Sequence, residues 1–118
     1  MTRHGADQFA KEWIEAWNAH DLDRILSHYT DDFEMSSPLI IQLMNEPSGR
    51  LIGKERIRAY WQTALSRNPD LRFELMAVYV GAGSITIQYT NQKGRGSAEV
   101  FFFDAHGLVF RSAAHYVD

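Results

Sequence analysis

Cysteine is absent from the chain, which excludes disulfides, thiolate metal sites and cysteine nucleophiles. No block of Lys or Arg stands out, and the formal charge is -3, so the electrostatic footprint of a nucleic-acid binder is missing. Apolar runs are short. Val100-Phe101-Phe102-Phe103 falls far below the length of a bilayer span, so no membrane partner is expected. The opening residues, Met-Thr-Arg-His-Gly-Ala-Asp, contain no apolar stretch of the signal-peptide kind, and the expected compartment is the cytoplasm. The three prolines, Pro38, Pro47 and Pro69, fall between periodic segments and leave helices and strands uninterrupted. No repeat, linker or low-complexity segment occurs.

What is present is ordinary globular material. Hydrophobic residues make up 45% and charged residues 23% of 118 positions, a length and composition that predict one domain over residues 1–118 around one core. Aromatics reach 13%, which in a small domain points to a thick core, a pocket, or both.

Periodicity predicts the elements. Phe9, Trp13, Ala16, Trp17 and His20 recur three or four apart, giving a helix over residues 6–19. Asp21 is placed to cap a second helix carrying Leu22, Ile25, Leu26 and Tyr29, with Thr30-Asp31-Asp32 ending it. Residues 33–36 alternate as a short strand that Pro38 ends or bends. Residues 39–44 fit either a strand or one helical turn, and either a pocket cover or one more packed element. A third helix over residues 54–67 buries Ile57, Tyr60, Trp61, Ala64 and Leu65 and stops at Asn68-Pro69. Strands over 71–80, 84–90, 98–104 and 108–116, joined by short turns, make an antiparallel meander. Three helices followed mainly by strands is the α+β class.

Trp13…Trp17-Asn18-Ala19-His20-Asp21-Leu22…Tyr29…Asp31-Asp32, then Gly53-Lys54…Ile57…Tyr60-Trp61, then Phe103-Asp104…Gly107-Leu108-Val109 resemble the SnoaL-like branch of the nuclear transport factor 2-like superfamily over nearly the whole chain. The resemblance implies a cone: a curved, mostly antiparallel sheet wrapped around the helices and enclosing an apolar cavity, commonly in a homodimer. It fixes no activity, because the superfamily hosts isomerases, cyclases, epoxide hydrolases, dehydratases and non-enzymes.

The same resemblance places Glu99 where ketosteroid isomerase has a pocket-facing carboxylic acid. Strand alternation then turns Glu99, Phe101 and Phe103 inward, together with Phe110, Ser112, Ala114 and Tyr116 on the last strand. Val100, Phe102, Val109, Arg111, Ala113, His115 and Val117 turn outward. Large apolar residues on that outer face predict a covering partner, a second copy of the chain. Glu99 is the expected acid/base residue, since burial of a carboxylate raises its pKa. Two further roles of the steroid isomerase fall on Ser37 and Trp13, neither of which replaces the carboxylate base or the acidic tyrosine hydroxyl. A standard ketosteroid isomerase is therefore not expected. Trp13, Trp17, Tyr29, Ser37, Trp61, Tyr89, Phe101, Phe103, Ser112 and Tyr116 are the expected substrate-binding residues, and their aromatic walls suit a small apolar or aromatic ligand. The histidines show no ligand spacing and the glycine pairs open no helix, so no metal and no cofactor are expected.

The expected function is a SnoaL-type small-molecule pocket, working as a cofactor-independent isomerase, cyclase or hydro-lyase by proton transfer on an apolar or polyketide-like substrate. The alternative is a non-catalytic ligand-binding or sensing domain. A protein-interaction role like that of nuclear transport factor 2 itself finds least support, because no added segment or charge asymmetry points to a partner.

Overall fold

The computed structural model describes residues 1–118. The elements run α1 (Arg3–Asn18), α2 (Leu22–Leu26), β1 (Tyr29–Ser36), α3 (Pro38–Met44), β2 (Arg50–Ile52), α4 (Lys54–Arg67), β3 (Glu74–Val80), β4 (Ser84–Thr90), β5 (Gly96–Phe103) and β6 (Val109–Tyr116). The architecture is α+β. Six strands form one curved, unclosed sheet in the order β2-β1-β6-β5-β4-β3. The β3–β6 meander is antiparallel, and β1 joins β6 in parallel. No helix is long and apolar enough to cross a membrane.

Helix α1 begins three residues earlier than its apolar period suggests, because the Thr2 hydroxyl accepts the Gly5 N–H at 3.0 Å and caps the first turn. Its inner face buries Ala6, Ala10, Trp13 and Trp17. The small Ala6 and Ala10 in this stripe let the helix lie close to the sheet. Helix α4 covers the other half of the concave face with Ile57, Tyr60 and Trp61. Each large apolar side chain taken fully from water between these layers stabilises the fold by roughly 2 kcal/mol.

Three segments differ from the expected elements or decide between them. Helix α2 ends at Leu26, and Tyr29 through Asp32 belong to β1 rather than to its last turn. Strand pairing wins over helical spacing there: Tyr29 lies opposite Val109 and the Val109 N–H donates to the His28 carbonyl at 2.9 Å. Residues 38–44 are a helix, making four helices rather than three. Ser37 caps α3 by accepting the Leu39 N–H, Pro38 fills its first turn, and Asn45 ends it at φ 52° in the left-handed region. A short strand, β2, follows that the sequence pattern did not single out.

The faces of β3 and β6 also differ from simple alternation. Leu75 opposes Tyr89 while Ala77 opposes Gln88, so Met76 is an extra residue and Val78 turns into the core. Phe103 opposes Val109 while Phe102 opposes Arg111, so Phe110 is an extra residue. Val109 is therefore fully buried, and Phe110 lies 45% exposed on the outer face, with its ring centroid 6.4 Å from that of Phe102. Both residues had been expected on the opposite faces. Beyond the bulge the expected parity holds, with Ser112 and Ala114 buried.

Candidate functional site

The concave face and the helices leave a cavity of about 460 Å³, within the range of small-molecule sites. It sits toward the Gly96 end of β5, between α1, α3, α4 and the β4–β5 hairpin. One wall is aromatic, made by Trp13, Trp17, Trp61 and Phe73. These rings brace one another: Trp13 stacks on Phe73 at 5.8 Å between centroids, and Trp17 meets Trp61 edge-on at 5.2 Å. Leu39 and Leu43 of α3 close another side, so the segment of uncertain character in the sequence does help to cover the cavity.

Glu99 faces this space and is only 4% exposed. Its strand neighbours in register are Ile87 and Ala114, neither of which can solvate it. The Tyr89 hydroxyl donates to Glu99 Oε1 at 3.2 Å. Loss of hydration pushes the carboxyl up to about 7, against the opposing pull of that hydrogen bond. Near neutrality both protonation states are therefore accessible, the condition that suits a general acid or base. Arg95 does not neutralise it: the guanidinium forms an ion pair with Asp118 at the cavity rim. Arg111 lies on the outer face above the Phe102 ring, 4.8 Å from its centroid.

A second polar group is a chain of three hydroxyls. Tyr60 donates to Ser37 Oγ at 3.2 Å, and Ser37 Oγ lies 3.4 Å from Tyr116 Oη. Tyr60 and Tyr116 both line the cavity, while Ser37 lies behind them, 4% exposed. Burial, reinforced for Tyr116 by the Glu99 charge, pushes the Tyr116 phenol up to about 12. Burial likewise raises Tyr29, Tyr60 and Tyr89. All four remain protonated near neutral pH.

Of the residues singled out from sequence, Glu99, Trp13, Trp17, Trp61, Tyr89 and Tyr116 come together around the cavity. Tyr29, Ser37, Phe101, Phe103 and Ser112 do not line it. Phe101 and Phe103 have the expected inward direction, but α1 fills the space above them: Phe9 packs edge-on against both, at 5.2 and 5.0 Å, and Trp13 against Phe101 at 5.3 Å. Tyr29 is core, and its hydroxyl accepts the Trp13 indole N–H at 3.0 Å. Trp13 thus offers a ligand its ring and no hydrogen bond. Ser112 is fully buried with its hydroxyl on Met35 Sδ at 2.8 Å. His20 bonds the Leu71 carbonyl and His28 contacts Glu12, so neither stands at the cavity.

Sequence reasoning missed the rim. Gln42, Asn68, Asn91, Gln92, Arg95 and Asp118 ring the opening. The polar 91–96 hairpin read only as a turn, because nothing local reveals that its loop folds over a cavity. Tyr60 was recognised as buried on α4, but helical periodicity does not distinguish core from cavity wall.

A family model described as a SnoaL-like domain matches residues 10–116. A SnoaL-like protein of unknown function from Burkholderia thailandensis is 55% identical, with a TM-score of 0.95 over 99% of this chain and 98% of its own. A candidate isomerase of the SnoaL-like family from Agrobacterium tumefaciens is 16% identical, with a TM-score of 0.78 over 98% of this chain and 99% of its own. A protein of unknown function with a cystatin-like fold from Methylobium petroleophilum is 18% identical, with a TM-score of 0.77 over 100% of this chain and 79% of its own. The last two likenesses concern the fold alone. No curated protein matches the sequence.

Proposed function

The chain belongs to the SnoaL-like family, and we propose that its cavity binds a small, neutral, apolar molecule on which Glu99 acts as a general acid/base in a cofactor-independent isomerisation or cyclisation. The observation that carries this reading is the setting of Glu99: one buried carboxyl at an aromatic cavity, poised at about 7 by desolvation. The ketosteroid isomerase arrangement is not repeated. Ser37 caps α3 behind the cavity wall and the Trp13 N–H is taken by Tyr29, so neither a second carboxylate nor an acidic helix tyrosine is supplied.

Proton transfer can be measured before the product is known. Ligands that co-purify with the protein would be identified by mass spectrometry and returned to it in deuterated water. Incorporation of deuterium at carbon is expected with the native chain, and Glu99→Gln should slow it by about 100-fold or more. Equal exchange in the variant would remove Glu99 from the chemistry.

One observation favours a binding-only reading. Glu99 has no titratable partner of opposite charge in the cavity, since Arg95 is paired with Asp118. On that reading the same ligand co-purifies and the native chain exchanges no deuterium. We further propose that the outer sheet face, with Phe110 exposed beside Phe102 at one end and Val117 exposed near Gly96 at the other, pairs with a second copy of the chain.

A further inference from the structure

We propose that Tyr116 is the hydrogen-bond donor that receives a carbonyl oxygen of the ligand, and that Ser37 aims it by occupying its acceptor side. This rests on the reading of the cavity as a site for a small neutral molecule.

The argument is proton accounting. A serine hydroxyl has one hydrogen and two acceptor lone pairs. At Ser37 the lone pairs take the Leu39 N–H at 3.1 Å and the Tyr60 O–H at 3.2 Å. Its single hydrogen is left for Tyr116 Oη, 3.4 Å away. Tyr116 is thereby the acceptor in that contact, and its own hydrogen is not taken up by Ser37. The Tyr60 hydroxyl also lies near that of Tyr116, and in that contact too Tyr60 is the side that keeps its proton and Tyr116 the side that accepts. A phenol proton at a cavity wall without a protein acceptor is a donor prepared for a ligand.

Strand register fixes what lies beside it. Ser97 opposes Tyr116 and Glu99 opposes Ala114, so Glu99 and Tyr116 sit on the same face of adjacent strands as diagonal neighbours, roughly 7 Å apart at the backbone. Tyr89 occupies Oε1 of Glu99, and Oε2 has no hydrogen-bond partner in the protein. A ligand oxygen held by Tyr116 therefore places the carbons next to it within reach of a carboxyl that can take or give a proton. The oxygen belongs to a ketone or aldehyde rather than a carboxylate. An anion would meet the Glu99 charge with no free cation to offset it, because Arg95 is engaged by Asp118.

The test uses two probes of nearly the same shape: 6-acetyl-2-(dimethylamino)naphthalene, whose emission shifts to the red when its carbonyl accepts a hydrogen bond, and 6-ethyl-2-(dimethylamino)naphthalene, which lacks the oxygen. The native chain should bind the ketone roughly 3- to 10-fold more tightly than the hydrocarbon, with red-shifted emission. Tyr116→Phe should bring the ratio close to one and lose the red shift. Tyr60→Phe supplies an independent reading that does not alter Tyr116. It frees a lone pair on Ser37, Tyr116 can then donate inward, and the ketone preference should fall although the phenol is intact. Filling of space by Tyr116 alone would not respond to that change. If Tyr116→Phe keeps the native preference and emission, Tyr116 is not the donor. If only Tyr60→Phe keeps them, Ser37 does not aim it. A native chain that binds both probes equally overturns this proposal and leaves the cavity reading standing, whereas one that binds neither removes the cavity reading as well.

Discussion

At the residue scale the molecule turns on one costly group. Placing Glu99 among Ile87, Ala114 and the aromatic wall raises its carboxyl from an ordinary 4.5 to about 7. Below about pH 4 both the folded and unfolded chains hold that proton. Between there and pH 7 the unfolded chain releases it and the folded chain keeps it, so stability falls as pH rises. Above about pH 7 the loss is complete and levels off, at on the order of 3 kcal/mol. Glu99→Gln keeps the shape and removes the titration. Urea unfolding at about pH 5 and about pH 8 should therefore show the variant gaining on the native chain by most of that amount at the higher pH. A stability difference independent of pH would mean that the carboxyl is solvated like any surface glutamate. Glu99 was legible in sequence because a lone acid interrupts an apolar strand, and strand alternation then set its direction. The state of Trp13 was not legible. Its partner Tyr29 lies sixteen positions away and belongs to β1 rather than to the expected helix. Ser37, expected as a substrate-binding residue, caps α3 behind the cavity wall, since a cap hidden behind a wall and a hydroxyl facing a ligand look alike in a sequence.

At the scale of elements, the cavity depends on how the end of α1 holds the approach to β3. The Asn18 side chain bonds the Phe73 backbone in both directions: its amide donates to the carbonyl at 3.0 Å, and its oxygen accepts the N–H at 2.7 Å. His20 Nε2 adds a contact to the Leu71 carbonyl at 2.9 Å. Leu71 and Phe73 both line the cavity, so a helix terminus takes the place of a missing strand neighbour and fixes one wall. Asn18→Ala should lower stability by about 1–3 kcal/mol, the cost of leaving a half-buried backbone pair unmet, and should weaken binding of the naphthalene probes. Asn18→Asp keeps the acceptor and loses the donor, so it should fall between the two in a urea titration. Equal stability of all three chains would show that water serves Phe73 as well as Asn18 does. The sequence offered Asn18 as a break in periodicity and part of a family pattern, with no hint of this bridge. Helix α4 and strand β4 were legible to the residue because nothing interrupts their periods. Strands β3 and β6 were not, because a one-residue bulge at Met76 or Phe110 reverses every face on one side of it, and neither residue carries a glycine or proline signal.

At the scale of the whole molecule the two faces of the sheet have opposite tasks. The concave face is filled by α1 and α4 except at the cavity. The convex face has no covering element, yet it presents Phe110, the Phe102 ring beneath Arg111, and Val117 at 72% exposure. The bulge sharpens this contrast, because it moves a phenylalanine from the inside, where Val109 replaces it, to the outside. A molecule measuring 36 × 31 × 25 Å presents a sheet face that can supply the roughly 800 Å² per partner of an ordinary stable interface. Self-complementary pairing of this face about a two-fold axis is the arrangement that covers it with the same chain. At micromolar concentration the chain should sediment with twice its mass of 13.6 kDa. Phe110→Lys, which places a charge beside the Phe102 ring on the outer face, should give the single-chain mass while leaving probe binding in the cavity unchanged, because the inner face is not touched. A native chain that sediments singly would leave the outer face without its proposed partner. A lysine variant that stays paired would move the contact to another surface. Loss of probe binding together with loss of pairing would show that the cavity wall is held in shape from across the sheet, and that the two faces are not independent.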